Sequence, residues 1–194
     1  MVTPIFDISG SNRVSSARAA RADDECLRYR LDVVASRPVD VVQSAGGWLY
    51  DRVMAGWEVT VLLPDSCDTR SLRILGVGVV DAKSEFVPTA MGSTSQTLAV
   101  SAEAFTADAR VRDKVLESLD NRLTEVALWG DGWPLGVNRG LIRAQHLLSA
   151  AARKFKCYAL AAAGIPCTSV DPTETLLCDM ATWSRIDSEL IRLD

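Results

Sequence analysis

The apolar positions of this chain change rhythm at its glycines. Residues 44–65 read SAGGWLYDRVMAGWEVTVLLPD: after two glycines, Leu49 and Val53 recur four apart while Tyr50, Asp51 and Arg52 can face outward, predicting a short helix that Gly56 stops. Glu58–Leu63 is then a near-continuous run of Val59, Thr60, Val61, Leu62 and Leu63, the pattern of a strand covered on both faces and ended by Pro64. Residues 39–42 read as another short buried strand. Strand, glycine turn, helix and strand make one βαβ unit, which implies a parallel sheet with a right-handed crossover.

The same reasoning extends along the chain. Residues 27–33 alternate apolar and charged side chains as a half-exposed strand does, with a helix from Asp23 as the competing reading; 72–80 predict a strand loosened by Gly76 and Gly78; Thr97–Ser101 and 123–129 predict two more. Residues 108–121 carry Val111, Val115, Leu116 and Leu119 on one side, a surface helix with Asp108 as N-cap. Residues 82–96, with Pro88 and a Met91-Gly92-Ser93 turn, predict a surface loop. The helical period of Leu141, Leu148, Phe155, Ala159 and Ala162 predicts one long helix over 139–163, closed by Gly164 and Pro166, and the acidic segment 171–194 predicts a packed terminal helix.

Composition narrows the class. The chain has 194 residues, enough for one sizeable core, and 48% hydrophobic and 24% charged residues with a net charge of −4 exclude bulk disorder and a strongly nucleic-acid-binding character. No apolar run is long enough to span a bilayer and no secretory signal opens the chain, so the expected address is cytoplasmic. Cys26, Cys67, Cys157, Cys167 and Cys178 lack any Cys-x-x-Cys pairing, the pattern of reduced thiols without zinc. Residues 1–22, with Arg13, Arg18 and Arg21 in a Ser/Ala-rich context, predict a flexible arm, leaving 23–194 as a single domain.

Candidate chemistry is sparse. Gly130, Asp131 and Gly132 form a turn between a predicted strand and the long helix, where backbone N–H groups can meet an anion, but the spacing is G-x-G-x-x-x-G and matches neither a dinucleotide fingerprint nor a P-loop. Ser44, Gly46 and Gly47 occupy the equivalent place after the earlier strand, with Ser44 as a helix cap. Simple turn geometry and close packing explain both turns more economically. From Gly132 to Val170 there is no acidic residue against Arg139, Arg143, Arg153, Lys154 and Lys156; these cations would meet an anionic ligand beside the glycine turn, nucleic acid, or the protein's own acidic tail. Asp65, Asp68 and Asp131 are candidate metal or proton-handling groups, and Cys67 with the single histidine, His146, a remote nucleophile pair.

The sequence therefore predicts a single α/β domain whose mainly parallel, possibly mixed sheet of about five strands is flanked by helices, with a long helix in the C-terminal half. The function it suggests is a cytosolic binding or regulatory domain recognising a phosphate-bearing or other anionic small molecule at the two glycine turns, with Arg139 or Arg143 supplying charge. A transferase or hydrolase using the same cleft is the enzyme alternative, and a protein or nucleic-acid interaction module using the basic helix the third. Cofactor and catalytic residues are unassigned, no metal site is expected, and a homo-oligomer is compatible with the pattern.

Overall fold

The computed structural model describes residues 29–64, 67–81, 97–138, 140–179 and 190–192. The expected arm 1–22 and loop 82–96 lie outside these residues, as do Asp65 and Arg139. Eight strands form one sheet: β1 (Arg30–Val34), β2 (Glu58–Leu63), β3 (Gly78–Asp81), β4 (Thr97–Ser101), β5 (Glu125–Trp129), β6 (Leu141–Leu147), β7 (Thr173–Asp179) and β8 (Leu190–Arg192), in the order β3-β2-β1-β4-β5-β7-β6-β8. The first five are mutually parallel, with Val33 of β1 in register with Val61 of β2 and Ala99 of β4. β7 runs antiparallel to both β5 and β6, and β8 antiparallel to β6, so the sheet is mixed.

Side chains alternate across this sheet as the pleat requires. Leu31, Val33, Val61, Ala99, Ala144 and Leu176 face a core covered by α1 (Pro38–Met54), α2 (Arg70–Ile74) and α6 (Ala150–Ala162). Val34, Leu62, Leu98, Val100, Val126 and Leu128 face a second core. It is covered by α3 (Ala102–Ala107) and α4 (Ala109–Asn121), the latter capped by the Asp108 side chain on the Arg110 N–H. A short α5 (Leu135–Asn138) completes the helices among the described residues. The predicted fold class, β2, β4, β5 and α4 agree with this architecture.

Four element assignments are corrected. Residues 39–42 are not a strand but the start of α1, whose first position is Pro38; a proline there loses no helical hydrogen bond and fixes φ for the helix. Residues 72–80 split into α2 and β3 around Gly76 at φ 77°. The long helix over 139–163 is β6, a turn and α6; Ala144, His146 and Leu148 are buried two apart, and the Ser149 hydroxyl then caps α6 by accepting from the Ala152 N–H at 3.0 Å. In the acidic tail, residues 173–179 form β7, with Glu174, Leu176 and Cys178 buried on one face, rather than the expected helix; residues 180–189 lie outside the described residues.

The cysteines are corrected too. Gly164, at φ 79°, ends α6 with N–H groups of Gly164 and Ile165 returning to the carbonyls of Ala161 and Leu160, which folds the chain back on the helix. That reversal brings Cys167 to Cys157 at a Cα–Cα distance of 5.5 Å, and the two form a disulfide; Cys67 and Cys178 are free. Spacing along the sequence could not register a pair made by a helix terminus.

Candidate functional site

The direction of chain growth reverses at β1: β2 and β3 lie on one side of it, β4 and β5 on the other. The carboxyl ends of the strands at such a reversal leave a crevice that no crossover fills. Three segments meet there. The β5 strand ends in Trp129-Gly130-Asp131-Gly132, and Gly130 and Gly132 adopt φ values of 88° and 86°, which only glycine takes without strain. A Cβ on Gly130 would sit 3.1 Å from that of Ala102, so its lack of side chain also lets this turn close on the β4–α3 junction. Trp133 stabilises the turn by donating its indole N–H to the Gly130 carbonyl at 3.1 Å while packing on Phe105.

Asp40, in the first turn of α1, is held from two sides. Its Oδ2 accepts the Trp129 indole N–H at 3.0 Å and its Oδ1 the Ser44 hydroxyl at 3.3 Å. Ser101, at the end of β4, caps α3 by accepting the Ala104 N–H at 3.1 Å. Asp40, Ser101, Glu103, Thr106, Trp129 and Asp131 line a cleft of about 470 Å³. Three carboxylates and two hydroxyls surround one aromatic edge, an acceptor-rich lining suited to hydroxyl and ammonium groups.

Only part of the predicted site converges here. Gly130 and Asp131 line the cleft and Gly132 belongs to the same turn. Ser44, Gly46 and Gly47 are not a strand-to-helix turn but lie within α1, so Ser44 caps nothing. The amides of Gly47 and Trp48 do bind a carboxylate, but it is the protein's own: Glu174 of β7 accepts them at 2.8 and 2.7 Å. Lys156 of α6 completes the arrangement, donating to Glu174 at 2.5 Å and to the Gln43 carbonyl at 2.6 Å. Burial pushes the Glu174 carboxyl up, and the Lys156 ammonium beside it pulls it back. One cation of the expected basic helix is thus taken by the acidic tail. Arg143 is exposed on β6 in register with Leu177, not on a helix one turn from Arg139.

The catalytic alternatives separate as well. Asp68 lines a different cavity from Asp131 and is tied to Arg70, whose guanidinium holds its carboxyl below the usual range. His146 is buried on β6 with Nε2 2.9 Å from Asp51 Oδ2, while Cys67 lines the Asp68 cavity. Among the described residues no three His, Cys, Asp or Glu side chains gather as a metal-binding group. Sequence reasoning missed Asp40, Ser101 and Glu103. Pro38 marked the helix start two residues before Asp40, and Ser101 closed a strand the sequence did predict.

The fold is similar to that of solved deacetylases. The A40926 pseudoaglycone deacetylase is 15% identical, with a TM-score of 0.54 over 86% of this chain and 99% of its own. A deacetylase in complex with teicoplanin, from the teicoplanin biosynthesis pathway, is 13% identical with a TM-score of 0.53, covering 85% and 99%. The zinc-inhibited form of teicoplanin deacetylase is 12% identical with a TM-score of 0.53 over the same shares. Identities this low establish the fold. No protein-family model and no curated protein matches the sequence.

Proposed function

We propose that this chain is a small-molecule-binding α/β domain whose ligand presents hydroxyl and amino groups to the Asp40 cleft. The observation that carries this reading is the lining: Asp40, Glu103 and Asp131 place three carboxylates, with Ser101 and Thr106, at the crevice where sheets of this kind take ligands. The anionic ligand expected from the sequence fits this cleft less well. The Gly47 amide is satisfied internally, Arg143 stands exposed on β6, and the carboxylates repel an anion.

A hydrolase using the same cleft is the second reading, favoured by the likeness to structures named as deacetylases, whose reaction frees an amine or hydroxyl from its acetyl group. One experiment separates the two. Calorimetric titration of the wild type and Asp40→Asn with glucosamine and N-acetylglucosamine reports binding, and acetate assay of the same mixtures reports turnover. Binding that weakens in Asp40→Asn without acetate release supports the binding domain. Acetate release that Asp40→Asn abolishes supports the hydrolase, and a wild type that neither binds nor turns over these sugars removes both.

The expected cytoplasmic address belongs with these proposals. No helix among the described residues is long and apolar enough to cross a membrane. The Cys157–Cys167 bridge, in contrast, is of a kind that persists in oxidising compartments.

A further inference from the structure

A second cavity of about 520 Å³ opens beyond the β1–α1 turn, toward the end of β2, and its charge is opposite in sense. Arg37 and Arg70 line it with Ser71 and Cys67, against Asp68 as its one acidic residue. Arg37 is there because of Pro38. A residue before proline is driven into extended backbone, and Arg37 sits at φ −142°, ψ 138°, so its side chain leaves the chain ahead of the helix. It stands at the N-cap, where serine or aspartate would accept a first-turn amide; a guanidinium has no acceptor, and α1 begins with no side-chain cap. The N–H groups of Val39, which also lines the cavity, and Asp40 therefore have no intrahelical acceptor.

The ion pairs of these arginines are displaceable. Arg37 meets Glu103 at 3.3 Å and Arg70 meets Asp68 at 2.6 Å, with the arginine side chains 63% and 76% exposed. Pairs this exposed contribute about 0–1 kcal/mol, so an oxyanion that offers bidentate contacts competes for them. Arg37 lines the cationic cavity while its partner Glu103 lines the acidic cleft, which makes the two cavities neighbours across one ion pair.

We infer that the Arg37–Arg70 cavity is an oxyanion subsite, and that the ligand of the Asp40 cleft carries a carboxylate or phosphate group as well as its amine or hydroxyls. This rests on the ligand-binding reading above. The test is calorimetric titration of the full chain, at low ionic strength, with glucosamine, glucosamine 6-phosphate, glucosaminuronic acid and glucose 6-phosphate. The phosphate or the carboxylate should tighten binding about tenfold over glucosamine, and the derivative that gains identifies the source. Arg70→Gln and Arg37→Gln should each remove most of that gain, and Arg70→Gln should leave glucosamine affinity unchanged. Equal affinities for glucosamine and both anionic derivatives, or a gain that survives both substitutions, would overturn the subsite. Failure of the Asp40 cleft reads differently: glucosamine does not bind and Asp40→Asn changes nothing, while glucose 6-phosphate still binds through Arg70 and the oxyanion subsite stands alone.

Discussion

Glu174 on β7 accepts a 2.8 Å hydrogen bond from the N–H of Gly47, 127 residues away and inside helix α1. With the Trp48 amide and Lys156 as its other partners, this buried carboxylate joins α1, α6 and β7 on one face of the sheet. Every partner in the group is satisfied by another, which is the condition under which charge is tolerated in a core.

Lys156→Met should therefore destabilise the fold by about 3–5 kcal/mol, because it strands a buried carboxylate. The double variant Lys156→Met/Glu174→Gln should recover part of that loss, since the glutamine carbonyl still accepts an amide. Denaturant unfolding of the wild type, Lys156→Met, Glu174→Gln and the double variant checks this as a double-mutant cycle.

Gly47→Ala should cost about 1–3 kcal/mol despite the better helix propensity of alanine, because its Cβ would lie 2.5 Å from Leu148 Cδ2. Adding Leu148→Ala relieves the clash, so the pair should be less than additive. Gly136, whose Cβ would meet nothing within 4 Å, supplies the control substitution.

Stability should respond to Glu125 with a defined sign. Burial pushes its carboxyl up, opposed by the Thr97 hydroxyl bond at 3.1 Å and the charge of Arg52. A raised folded value means that its contribution is present below the unfolded carboxylate range and lost as pH rises through the folded value. Glu125→Gln does not titrate. Its stability relative to the wild type should therefore increase as pH rises from the ordinary carboxylate range through the raised folded value, measured by chemical unfolding at each pH.

Thiol chemistry tests the cysteine arrangement. Under native conditions alkylation should modify Cys67, which is partly exposed, and spare the bridged Cys157 and Cys167. Cys178 is buried with its thiol pushed up by desolvation, so it should react only on unfolding. Cys157→Ser/Cys167→Ser should lower stability by about 2–3 kcal/mol, the range for closing so short a loop. Peptide mapping by mass spectrometry reads the alkylation pattern, and denaturant unfolding reads the stability change.

What the sequence determined by itself are the elements whose pattern is local. The β-branched run of β2, the short run of β4 and the amphipathic stripe of α4 with Asp108 at its start were legible because each records only which side of one element is buried. Gly130 and Gly132 were legible for the same reason, as a turn that needs positive φ. Tertiary structure decided the rest. Gly46 and Gly47 read as a turn because glycine is a poor helix former, yet they lie in α1, where Leu148 approaches Gly47 too closely for a side chain and Leu75 packs tightly against Gly46. Residues 141–147 carry a pattern compatible with a helix, and pairing with β7 and β8 makes them a strand. The cleft itself belongs to no segment: Asp40 and Glu103 come from the first turns of α1 and α3 and Asp131 from the turn after β5, and they meet because strand order reverses at β1, an arrangement set by long-range pairing that local periodicity does not encode.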